Sequence, residues 1–97
     1  MTDLNTGLTG LPFTVWIANG FGVDHDVRIW AATERTTLPS RMACLAIRPD
    51  VRVLRGTMKA NDLELLHKWI GLNLPVVLGH WHGDVDSVEA IAAVRRI

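Results

Sequence analysis

The pattern of apolar and polar positions divides the chain into a front part with the period of strands and a back part with the spacing of helices. Phe13-Thr-Val-Trp-Ile-Ala18 is rich in β-branched and aromatic side chains and is bounded by Pro12 and Asn19-Gly20, which predicts a strand. Val27 to Thr33 alternates, with Val27 and Ile29 on one face and Arg28 and Trp30 on the other. Asn19-Gly20 tolerates positive φ and, lengthened by Gly22 and Asp24, joins these runs as a hairpin. Met42 to Ile47 is a continuous apolar run of strand length, suited to a strand covered on both faces. Val51-Arg-Val-Leu-Arg55 alternates after the turn chemistry of Arg48-Pro49-Asp50, which predicts a second hairpin with Arg52 and Arg55 directed away from the core or at its margin.

Between these runs, Glu34 to Arg41 is polar, contains Pro39 and reads as a long loop. Residues 1–11 hold Asn5, Gly7 and Gly10 with few large apolar groups, so a flexible arm is expected there.

After Gly56 the period changes. Asn61 and Glu64 fit a capping box, and Leu63, Leu66, Trp69 and Ile70, with Leu65 and Leu72 beside them, follow a core-facing helical stripe that Gly71 or Asn73 can close. Pro75 suits the opening of a second short helix, Val76 to Trp81, ended by Gly83. Asp86 or Ser87 caps a third, with Glu89 in its first turn, Val88, Ile91 and Val94 facing inward and Arg95-Arg96 at its negative end. Strands first and helices last predict an α+β fold: an antiparallel sheet of about four strands in two hairpins, followed by two or three C-terminal helices packed on one face. No repeat or linker interrupts the chain, so one domain over residues 1–97 is expected.

Composition narrows the setting. With 48% apolar residues, 97 residues can bury a core without disulfides or a metal as staples. The single Cys44 has no internal partner, which suits a reduced, cytoplasmic compartment, and within Met-Ala-Cys-Leu-Ala-Ile it reads as a small buried hydrophobe. No run approaches the ~18 apolar residues of a membrane span, so no membrane association is expected. The net charge of zero argues against bulk attraction to nucleic acid. Its distribution is uneven: residues 27–59 carry +5, against −3 before them and −2 after.

Two clusters hold metal-ligating residue types. His80-Trp-His82-Gly-Asp84-Val-Asp86 places two imidazoles and two carboxylates within seven residues, the donor types of zinc or non-haem iron sites; the simpler account makes them polar residues at a helix end, with Asp84 and Asp86 capping the next element. Asp24-His25-Asp26 is either an acid/base pair or a solvated loop. There is no G-x-S-x-G elbow, Walker-type loop or Cys-x-x-Cys pair, and no cofactor is expected. Trp30, beside Arg28 and Arg35 on a sheet face, offers an aromatic anchor with basic neighbours, a composition favoured at protein interfaces and also usable for stacking bases; Arg48, Arg52 and Arg55 can join that contact or track phosphates, a solvated strand face being the simpler account.

From Ala46 to His82 the chain resembles the small bacterial domain-of-unknown-function family 4160, through Ile47-Arg-Pro-Asp-Val-Arg-Val-Leu-Arg-Gly56 and then Leu63, Leu66, Trp69, Asn73, Leu78 and Trp81. The resemblance implies a strand hairpin and a Gly ahead of a helix bearing a Trp, with a second Trp closing the next short helix. It also implies a regulatory or protein-binding role of the kind found near toxin–antitoxin-like and mobile-element systems. The family's histidine-rich stretch between its first strands has its nearest match in Val23-Asp-His-Asp-Val27, where only Asp24 and His25 correspond.

The expectation is therefore a small bacterial interaction module that binds a partner protein or itself rather than catalysing a reaction. Two alternatives stand beside it: a metal-dependent hydrolase or nuclease-like toxin using His80, His82, Asp84 and Asp86, and a nucleic-acid binder using the basic segment 28–59.

Overall fold

The computed structural model describes residues 1–97. Five strands, β1 (Thr2–Leu4), β2 (Thr14–Ile17), β3 (Arg28–Ala32), β4 (Ala43–Ala46) and β5 (Arg52–Arg55), form one antiparallel sheet whose spatial order is the chain order. A single helical turn, α1 (Thr6–Thr9), follows β1, and two C-terminal helices, α2 (Ala60–Trp81) and α3 (Ser87–Ala93), complete an α+β fold. Both expected hairpins are present, β2–β3 and β4–β5, and the β3–β4 pairing fuses them into one sheet.

The strand beyond the expected four is β1. Residues 1–11 are not a flexible arm: Thr2, Asp3 and Leu4 pair with Ile17, Trp16 and Val15. The physical reason lies in two leucines, Leu4 and Leu11, which are both buried in the core and so anchor a segment of otherwise weak apolar content. Between them, the Asn5 side chain accepts the Leu8 amide at 3.0 Å to start α1, and Gly10, at φ 78°, ends it in a left-handed conformation that suits glycine.

Strand alternation then sorts the sheet into two faces. Leu4, Val15, Ile17, Ile29, Ala31 and Leu45 share one cluster with Leu66, Trp69, Ile70, Val77 and Trp81 of α2. The helices therefore cover that face, and Trp16, Trp30, Cys44 and Ala46 lie on the other.

Helix α2 differs from expectation at both ends and in the middle. It begins at Ala60, with Lys59 as its N-cap and no side-chain cap, so the Asn61–Glu64 capping box does not form. Met58 and Leu63, the two staple positions around that start, both pack against the core instead. It also runs straight through Gly71, Asn73 and Pro75 for 22 residues, where two helices were expected. An internal proline costs about 3 kcal/mol, largely by removing one backbone hydrogen bond and crowding the carbonyl four residues earlier. Here that carbonyl belongs to Gly71, and Gly71 and Pro75 are both exposed, so water can reach the freed oxygen. Continuing the helix also buries Val77 and Trp81, each worth roughly 1.5–3 kcal/mol of apolar burial, which outweighs the interruption.

The cap of α3 is as expected: the Asp86 carboxylate accepts the Glu89 amide at 2.8 Å, and the Glu89 carboxylate in turn accepts the Asp86 amide. Its inward face is not. Ala90 is fully buried and Val94 half-buried, whereas Val88 is 77% exposed and Ile91 also faces water. The chain approaches α2 closely just before this helix, since a Cβ on Gly79 would lie 2.8 Å from a Val85 methyl, and the small Ala90 is what the buried side of α3 presents.

Candidate functional site

The candidate site is the sheet face turned away from the helices. Asp3, Trp16, Trp30, Cys44 and Arg55 are cross-strand partners in a single row through all five strands, and Arg28, Ala46 and Arg52 form the adjoining row. Cross-strand neighbours lie about 4.8 Å apart along the hydrogen-bonding direction, so the two tryptophans and the arginines form one continuous surface. Trp16, Cys44 and Ala46 are buried within it; Trp30 and Arg28 are half-buried, and Arg52 and Arg55 are exposed.

A β-bulge assembles this surface. Arg52 and Arg55 are three residues apart, a spacing that sends side chains to opposite faces of a regular strand. In β5 the pairing skips Leu54: Val53 opposes Leu45, whereas Arg55 opposes Cys44, the very next residue of β4. The skipped residue returns Arg55 to the same face as Arg52 and leaves Leu54 42% exposed.

The four arginines are not equivalent. Arg48 is committed to Asp26, with Nε donating to Oδ2 at 3.0 Å and a second guanidinium N–H donating to Oδ1 at 2.5 Å. That bidentate pair, aided by the Val27 backbone amide, pulls the Asp26 carboxyl from 3.8 down to about 2 and raises the Arg48 guanidinium further. Arg52 donates to the Arg48 and Asp50 carbonyls and to the Asp50 carboxylate at 3.3–3.4 Å, and Arg55 donates to the Pro39 carbonyl at 3.2 Å. Arg28 and Trp30 make no side-chain hydrogen bond, which leaves them the uncommitted pair at the centre of the surface.

Known protein families, characterised proteins and solved structures contain no match to this chain.

The metal-ligating residue types of the other candidate turn are dispersed. His80 is buried with its Nδ1–H donating to the Val85 carbonyl at 2.8 Å, while Nε2 faces the Thr2 hydroxyl at 3.4 Å, itself 2.6 Å from the Ser87 hydroxyl. His82 and Asp84 are exposed, and Asp86 is occupied as the cap of α3. The structure does not bring together His80, His82, Asp84 and Asp86, the alternative metal set, and no group of three or more His, Cys, Asp or Glu converges in the chain. The reason is helical geometry: α2 continues to Trp81 and His82 remains helical in φ and ψ, so two residues of rotation separate the two imidazoles.

The Asp24–Asp26 segment instead docks onto the end of α2. The Gly20 amide donates to the Trp81 carbonyl at 2.8 Å, one of the carbonyls a helix end leaves without an intrahelical partner. The His25 ring lies 5.6 Å from the Trp81 ring at a 39° tilt, its Nδ1 donates to the Asp26 carbonyl at 2.9 Å, and Asp26 holds Arg48.

Two buried polar anchors, Asn73 and His80, are not evident from residue order. Both lie on the buried stripe that continues as Leu66, Trp69, Ile70, Asn73, Val77, His80 and Trp81, and polar residues recurring on such a stripe are the signal that could have found them.

Proposed function

We propose that this chain is a protein-interaction module that acts by binding rather than catalysis, with the helix-free sheet face as its contact and a partner protein presenting acidic groups around an apolar anchor. The observation that carries the reading is the bulged register of β5, which adds Arg52 and Arg55 to the face holding Trp16, Trp30 and Arg28. Tryptophan and arginine are the side chains most often responsible for binding energy at protein interfaces. The pairing of the arginines favours a protein over nucleic acid: Arg48 is neutralised by Asp26, Arg52 leans on Asp50, and Asp3 lies in the same row as Trp30, so few cations remain for a phosphate backbone.

A cytoplasmic setting belongs to the same proposal and rests on the lone, buried Cys44. No helix is long and apolar enough to cross a membrane. The resemblance to family 4160 over residues 46–82 adds a regulatory role beside toxin–antitoxin-like or mobile-element systems.

The test is affinity capture from a bacterial lysate, with and without nuclease treatment, using the wild-type chain and an Arg28→Glu/Trp30→Ala/Arg52→Glu variant. A protein held by the wild type, released by salt and lost with the variant is the expected result. Equal capture by both proteins, or capture that nuclease abolishes, overturns the reading.

A further inference from the structure

The sheet is open, so β1 and β5 each leave one edge without a neighbouring strand. Outside its ladder to β4, the backbone of Arg52–Arg55 makes no hydrogen bond. Arg52, Leu54 and Arg55 are exposed, and alternate N–H and C=O groups of β5 therefore face open solvent. Such an edge is a template on which an extended segment of another chain can pair.

Charge decides what that edge admits. The bulge brings Arg52 and Arg55 to one face, so two guanidinium groups flank the free backbone. Two copies of β5 paired antiparallel about their midpoint would set Arg52 against Arg55 twice, and like charges directly opposite destabilise a strand pair. The edge is thus guarded against its own copy and against basic segments, whereas an acidic segment meets the opposite charge. Neither arginine is held firmly: Arg52 shares the Asp50 carboxylate at 3.3 Å in an exposed pair of the kind that contributes little, and Arg55 donates to the neutral Pro39 carbonyl at 3.2 Å. Carboxylates on an added strand offer both a charge-assisted bond. The other edge carries Asp3 and repels the same segment; with one carboxylate in three residues, β1 of another copy answers only one of the two arginines.

We propose that β5 takes an extended acidic segment of a partner protein as an added strand, with carboxylates at alternate positions reaching Arg52 and Arg55. This rests on reading the helix-free face as the partner site, and it names the conformation and charge of the segment that meets the margin of that face. Alternation follows from the two-residue period of a strand, which places every second side chain on the arginine face. The residues between them fall on the side of Val53, which is half-buried against the core, so apolar side chains suit those positions. Backbone pairing supplies affinity and the side chains supply the choice of partner. A contact of one short strand is small, so binding is weak and, being charged and exposed, sensitive to salt.

The probe is a fluorescein-labelled hexapeptide, Glu-Val-Glu-Val-Glu-Val, capped at both ends and titrated with the full chain up to the millimolar range while anisotropy is followed. A Lys-Val counterpart and a Glu-Val counterpart methylated at every backbone amide serve as controls. Saturable binding of the Glu-Val peptide that weakens with salt is expected, with both controls at least about tenfold weaker. Hydrogen exchange is expected to show new amide protection in β5 and none in β1. The Arg52→Glu/Arg55→Glu variant, verified as folded by circular dichroism, is expected to reverse the choice and take the Lys-Val peptide. Trp30→Ala leaves β5 intact and is expected to bind the Glu-Val peptide as the wild type does. No saturable binding, equal binding of either control, protection confined to β1, or a double variant that keeps the wild-type preference overturns the proposal. So does self-association of the wild type with β5 already protected, which places a second copy on the edge. Peptide pairing with β5 supports strand addition even where lysate capture fails; capture lost with the sheet-face variant, without peptide protection in β5, overturns strand addition and leaves the sheet-face reading intact.

Discussion

Asn73 provides a direct test of how the C-terminal tail is held. Its side chain is 1% exposed; Nδ2 donates to the Trp69 carbonyl at 3.0 Å and the Arg95 carbonyl at 2.9 Å, and Oδ1 accepts the Arg95 amide at 2.6 Å. One carboxamide thereby satisfies both backbone groups of a residue 22 positions away, as a neighbouring strand would. Replacing Asn73 with alanine removes three hydrogen bonds and leaves the Arg95 amide and carbonyl without protein partners in a part-buried setting. At about 1–3 kcal/mol for each group deprived of a partner, reduced where water reaches Arg95, the expected loss is about 2–4 kcal/mol. That is a large share of the roughly 5–15 kcal/mol that stabilises a typical domain.

Asn73→Leu restores volume but not the partners, and is expected to recover only part of the loss. Asn73→Asp keeps the acceptor for the Arg95 amide, yet it turns a second oxygen towards two carbonyls and buries a charge, so at neutral pH it is expected to be the most damaging of the three. Urea titrations at pH 7 give the ranking, and amide hydrogen exchange at Arg95 and Ile97 reports whether the tail, also fastened by the Ile97 amide donating to the Thr9 carbonyl at 3.0 Å, is released first. An Asn73→Ala loss below about 0.5 kcal/mol, with Arg95 exchange unchanged, would refute the clasp.

The same geometry yields three more expectations. Gly20→Ala places a methyl inside the Trp81 ring and is expected to cost about 1–3 kcal/mol in a urea titration, with greater protease sensitivity in residues 19–27. The Trp69 indole N–H is buried without a partner, so Trp69→Phe discards an orphan donor along with some packing; it is expected to cost far less than Trp69→Ala, for which about 3–5 kcal/mol is typical, and similar losses in thermal unfolding would contradict this. Folding depresses the Asp26 carboxyl from 3.8 to about 2, so the Asp26–Arg48 pair contributes fully above the ordinary carboxylate range and fades as the pH falls from about 4 towards 2. Asp26→Asn is therefore expected to flatten the acid side of the stability profile in that window and leave its slope near neutrality unchanged.

Much of the architecture is legible in residue order alone. Period-two alternation in Val27–Thr33 places Arg28 and Trp30 together, and the Asp86–Glu89 spacing specifies the cap of α3, because both depend on contacts made within a few residues. Trp69 reads as core by helical spacing, and it is fully buried. The same local signals mislead wherever burial elsewhere outweighs them. Gly71, Asn73 and Pro75 look like the end of a helix, but the free energy of burying Val77 and Trp81 carries α2 through them. Leu4 and Leu11 are too sparse a signal in residue order to mark the first eleven residues as ordered, and only the folded core that receives them holds that segment.

By itself, then, the sequence determines an α+β chain with two hairpins ahead of its helices, an apolar stripe on the main helix and a basic middle segment, because periodicity, turn chemistry and charge are properties of neighbouring residues. Tertiary structure alone decides that Arg52 and Arg55 share the face of Trp16 and Trp30, that Arg48 is taken out of that surface by Asp26, that Asn73 fastens the tail and that His80 and His82 turn away from each other. Each of these depends on register, a bulge or helix phase set by contacts between distant segments, and a shift of one residue reverses which face a side chain occupies.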